Sequence, residues 1–86
     1  MPYIKQEDRD KVFSGFGPSI RQHNIETAGE LQYAIAVMLK GYIERKGLNY
    51  QNCNDVMGAL AGAQMEFYRR TVVPYEDKKI TENGDV

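Results

Sequence analysis

The sequence predicts an all-α protein: an antiparallel helical hairpin over residues 28–46 and 53–72, with a short N-terminal helical arm and an extended C-terminal tail. Three observations carry this. Two long blocks hold apolar residues at three-to-four spacing, each block opens on capping chemistry, and a short polar connection beginning at Gly47 separates them. The chain reads as one domain, divided into an arm (1–26), the hairpin (27–73) and a tail (74–86).

In the arm, Lys5 to Phe13 is expected to form a short helix with Val12, Phe13 and Phe16 as apolar contacts. The run Ser14-Gly15-Phe16-Gly17-Pro18 ends it, since two glycines and a proline do not continue a helix. The first long helix opens on Thr27-Ala28-Gly29-Glu30, a capping box in which each end residue satisfies a backbone N–H of the other. Leu31, Ile35, Met38, Leu39, Tyr42 and Ile43 then mark one face. Arg45 and Lys46 suit the negative end of the helix dipole, and Gly47 is a left-handed terminator.

A loop of about six residues implies antiparallel neighbours. The second helix is expected to be capped by Asn52, with Asp55 in its first turn. Val56, Leu60, Phe67 and Thr71 form its stripe, and Pro74 is expected to stop it. The segment from Pro74 to Val86 is expected to be extended, anchored by Tyr75 and Ile80.

Size decides what must stabilise such a chain. At 86 residues it buries only about 60–65% of its unfolded surface. Chains this small usually add disulfides, a metal or a partner subunit. With one cysteine (Cys53) and one histidine (His23), neither an internal disulfide nor a four-ligand zinc site can form. A partner subunit remains.

Two local features agree. From Leu31 to Leu39 only Gln32 is strongly polar, so Tyr33, Ala36 and Val37 lie off the main stripe yet are apolar; such a helix is normally buried all round. On the second helix, Gly58 and Gly62 cost roughly 1 kcal/mol each relative to alanine, which close packing of another backbone would offset. Tyr33, Ala36, Val37, Gly58 and Gly62 are therefore the expected interface of a homo-oligomer.

The formal charge is −1. Without a clustered basic face, duplex DNA is not an expected partner. No stretch approaches the roughly 20 apolar residues of a membrane span. The start Met1-Pro2-Tyr3-Ile4-Lys5-Gln6-Glu7-Asp8 turns acidic where a signal peptide turns apolar, and a single cysteine fits a reducing compartment, so a cytoplasmic protein is expected.

No catalytic constellation is visible. His23 stands beside a loop, Ser14 and Ser19 are turn residues, and Cys53, at a helix start, reads as a buried thiol. Glu76 and Asp77 sit beside Lys78 and Lys79 as a solvated charge run. An enzyme, a cofactor and a metal are not expected. The most suggestive group is Tyr68, Arg69 and Arg70 with Tyr75, Lys78 and Lys79. Arginine's planar fork matches phosphate and tyrosine offers a face for a base, so a tail folded back would gather a site for a small anionic nucleotide. The alternative is structural: these cations complement the end of a helix dipole or pair with Glu26 or Glu30.

The opening Met-Pro-Tyr-Ile-Lys, the Gly29-Glu30-Leu31-x-Tyr33 start and the Gly47-Leu48-Asn49-Tyr50 turn resemble a family of short phage and prophage proteins of unknown function. So does the block Glu66-Phe67-Tyr68-Arg69-Arg70-x-Val72-x-Pro74-Tyr75-Glu76-Asp77-Lys78-Lys79-Ile80, with Glu82-Asn83-Gly84-Asp85-Val86 after it. The resemblance implies a phage accessory protein working in a bacterial host cell. Small helical phage oligomers include sponges that hold nucleotide signals of bacterial immunity between subunits. The first functional expectation is thus a non-enzymatic, anti-defence sponge. The second is a module that docks on a host or phage protein.

Overall fold

A computed structural model of the chain describes residues 4–12, 14 and 25–84. Among them every regular element is helical. The chain divides into two units, Met1–Val37 and Met38–Val86. Residues 6–12 are helical, as expected for the arm. Phe13, Phe16, Ser19, His23 and the final turn residue Asp85 lie outside the described residues.

Helix α1, Ala28–Lys46, has the bounds its sequence predicts. The reason is the capping box. Glu30 Oε1 accepts from the N–H of Glu26 at 2.7 Å and of Thr27 at 3.1 Å, while Thr27 Oγ1 accepts from the Glu30 N–H at 3.1 Å. Two orphan donors of the helix start, Thr27 and Glu30, are thereby satisfied, together with the Glu26 N–H just before the cap. The Glu26 N–H, and next the Thr27 N–H, hold the Glu30 carboxyl below its ordinary value of 4.5.

A depressed carboxyl contributes stability above its unfolded value and loses it as pH falls through the folded one. The start of α1 should therefore fray on acidification below about pH 4.5. Helicity measured by circular dichroism from pH 7 to 2 should show this loss. In Glu30→Gln the acid-dependent part should shrink, and an unchanged profile would exclude the capping carboxylate as its source.

The corner after α1 is shorter than expected, Gly47 to Asn49. Gly47 takes φ 104°, a conformation costly for any residue with a Cβ, and its N–H closes the last turn on Ile43 O at 2.7 Å. Helix α2 then spans Tyr50–Phe67, starting one turn before the expected residue 53. Two asparagines three apart explain the shift. Asn49 is the cap, its Oδ1 accepting from the Asn52 N–H at 2.8 Å. Asn52, the expected cap, instead donates through Nδ2 to the carbonyls of Lys46 at 3.1 Å and Gly47 at 2.9 Å. One asparagine starts α2 and the other satisfies the end of α1.

Pro74 does not stop the second helix, and the tail is not extended. After α2 the backbone passes through a π turn at Tyr68–Val72 into helix α3, Val73–Asn83, with right-handed helical angles at both junctions. Pro74 has no N–H to give and its ring would strike the carbonyl four residues back. In the π turn the Val73 N–H reaches Tyr68 O, five residues back, and the widened turn carries Pro74 into the first turn of α3, where a missing N–H is tolerated. The helix ends on Gly84, at φ 85°, whose N–H bonds Ile80 O at 2.8 Å.

No described residue of either unit is buried. Large apolar side chains lie exposed along every helix, among them Leu31, Tyr33, Val37, Met57, Met65, Phe67, Tyr75 and Ile80. An apolar periodicity this regular normally marks faces that pack against another surface.

Candidate functional site

The C-terminal candidates sit on one uninterrupted helix, so their directions derive from helix geometry. An α-helix turns about 100° per residue and a π turn about 80°, so the turn at Tyr68–Val72 sets back the residues of α3 by about one position. Residues eight apart across it fall in line: Tyr68 over Glu76, Arg69 over Asp77, Arg70 over Lys78. The Tyr68 hydroxyl indeed donates to Glu76 Oε1, in a long bond of 3.5 Å. Tyr75 and Lys79 share another side, with the Lys79 ammonium 5.6 Å from the Tyr75 ring centroid.

Tyr68, Arg69, Arg70, Tyr75, Lys78 and Lys79 thus surround the helix, and the single chain gathers them into no common pocket. Several are already engaged. Arg70 Nε donates to Glu66 Oε1 as an i,i+4 ion pair, and this hydrogen bond, opposed by desolvation, holds the Glu66 carboxyl below its ordinary value. Lys79 lies 3.4 Å from Glu82. Exposed pairs of this kind add little to stability. They decide the field all the same. Glu66, Glu76, Asp77 and Glu82 cancel Arg69, Arg70, Lys78 and Lys79, and the segment is neutral.

The carboxylate partners were not foreseen as part of the group. Glu66–Arg70 and Lys79–Glu82 were legible from i,i+4 and i,i+3 spacing. Tyr68–Glu76 was not, because an eight-residue spacing aligns only across a π turn.

The expected interface residues are open. Tyr33, Ala36 and Val37 are exposed on α1. On α2, a Cβ built at Gly58 or Gly62 meets nothing within 4 Å among the described residues. Neither Met57 nor Met65 belongs to the stripe expected for the second helix. They are 64% and 70% exposed, and each borders the glycine face.

Cys53 is half-buried and free. Among the described residues no three His, Cys, Asp or Glu side chains cluster, and no helix is long and apolar enough to cross a membrane.

The whole chain, residues 1–86, matches a family described as a domain of unknown function (DUF6899), and it belongs to that family. No curated protein and no solved structure matches it.

Proposed function

We propose that this DUF6899 member is a non-enzymatic binding protein that acts as a homo-oligomer, with α1 and α2 closing as an antiparallel hairpin inside the assembly. We propose further that it is a phage accessory protein of the bacterial cytoplasm that sequesters a nucleotide-type immune signal between subunits. The observation that carries the assembly is the absence of any buried residue among the described ones. A chain with this apolar pattern completes its core only against other chains.

The placement of the C-terminal cations supports a shared rather than a private pocket. Arg70 and Lys78 lie in line on one side of the helix, with Pro74 between them. A second subunit is needed to turn that side into a cleft with a tyrosine face. An incoming phosphate would compete with Glu66 for Arg70, and a charge-assisted bond from a guanidinium to phosphate is among the stronger ones available.

Native mass spectrometry of the purified protein, mixed with the nucleotide fraction of phage-infected cells, tests this. The oligomer should gain a discrete nucleotide-sized mass. Arg70→Ala with Lys78→Ala should weaken that retention by about a hundredfold or more, from two lost charge-assisted contacts, and leave the subunit count unchanged. Undiminished retention in the double variant would remove the site.

A second reading, docking on a host or phage protein, is favoured by the corner between α1 and α2. There Leu48 and Tyr50 are 81% and 91% exposed, an apolar pair at the tip of the second unit. A protein retained from the same cells, insensitive to nucleotide and released by Leu48→Ser, would favour it.

A further inference from the structure

Helix α2 carries two apolar faces. Cys53, Val56 and Leu60 are half-buried on one. Met57, Gly58, Ala61, Gly62 and Met65 lie on the opposite side and form the second, by the 100° step of the helix. Its floor is glycine backbone with open space above, and its walls are the two exposed methionines. Methionine is a side chain that adapts to an incoming surface. No charged residue interrupts the face between its ends. At its C-terminal end Arg69 falls almost in line with Gly58 and Gly62. Near its N-terminal end stands Asp55, whose Oδ1 accepts from Gln51 Nε2 at 2.9 Å.

We infer that this face packs against the same face of a second copy, the two α2 helices antiparallel about a two-fold axis beside Gly62. The inference rests on the reading that the protein assembles, and adds which surface assembles and in which sense.

Charge complementarity supports a second copy as the occupant, since the face is bounded by Asp55 at one end and Arg69 at the other. The glycines say how close the copies come. Without Cβ atoms at residues 58 and 62 the two backbones can approach, which offsets the roughly 1 kcal/mol each glycine costs a helix.

Charge fixes the direction. Gly62 is the midpoint between Asp55 and Arg69. An antiparallel crossing there sets Asp55 level with Arg69 of the second copy, twice over, and brings Met65 level with residues 58–59 of that copy. A parallel crossing sets Asp55 against Asp55 and Arg69 against Arg69, juxtapositions that oppose association. Arg69 therefore belongs to the interface, whereas Arg70 and Lys78 point to another side of the helix.

Sedimentation equilibrium of the full chain, with Asp55→Arg, Arg69→Asp and the two combined, tests the arrangement. In a two-fold interface each reversal acts at two places, so each single variant should weaken association about tenfold. The combined variant restores opposite charges and should return to within about threefold of the original. Recovery in the combined variant also separates lost contact from lost folding, with helicity measured by circular dichroism alongside. Single variants that associate as tightly as the original would overturn the antiparallel contact and leave assembly standing. So would a combined variant as weak as either single one. A chain that stays monomeric at every concentration would overturn this contact and the assembly reading together.

Discussion

Lysine at both Met57 and Met65 should weaken self-association by more than about a hundredfold, while a non-associating chain would barely register the change. In the single chain both side chains stand largely in water. A surface substitution there falls within about ±0.5 kcal/mol, and lysine is a good helix former. Against a second copy the account reverses. Fully burying a methionine contributes about 1.5–3 kcal/mol, and a two-fold interface holds four such side chains. Partial burial still leaves more than about 3 kcal/mol to lose, which is more than two decades in the dissociation constant. Melting curves over a hundredfold range of protein concentration give the direct measure. The original chain should melt higher as concentration rises, and the variant should lose that dependence. Equal association of variant and original would mean that this face stays in water.

Replacing Pro74 with alanine should make the helix more stable and disturb what it does. A proline inside a helix costs about 3 kcal/mol through its missing N–H and its ring. The π turn has already relieved part of the clash, so the expected gain is about 1–2 kcal/mol. Restoring an N–H at residue 74 lets the turn relax to α geometry. Residues 73–83 would then rotate by roughly 90–100° relative to α2. Tyr68 would leave Glu76, and Arg70 would leave the line of Lys78. Higher thermal stability with weakened ligand retention is the expected pair of results, read by circular dichroism and native mass spectrometry. A variant stabilised with retention intact would show that the register set by the π turn carries no function.

How far these features were legible in the sequence varied with how local their causes are. The bounds of α1 were readable because Thr27, Glu30 and Gly47 act on backbone within a few residues. The start of α2 was misplaced by one turn because Asn49 and Asn52 are equally good caps in isolation. The end of α1 chose between them, since its carbonyls claim the Asn52 amide. Pro74 was read as a stop because the rule for proline assumes an α register. The chain obeyed the chemistry behind the rule by changing register, and the expected extended tail became α3. The six C-terminal candidates were legible as residue types and not as a constellation, since a converging tail was assumed. The Met57–Met65 face was masked because α2 is apolar on two sides, and the Val56–Leu60 stripe alone accounts for a helix packed on one.

The proposed assembly would have a consequence in the cell. A chain whose interior is supplied by its own copies does not have a fixed folded fraction, because that fraction rises with the amount made. Below the dissociation constant, newly synthesised chains would present bare helices to proteases and be cleared. Above it they would protect one another. Abundance would then act as a threshold: a weakly expressed copy of the gene would leave almost no folded protein, and a modest rise in synthesis would bring it up steeply.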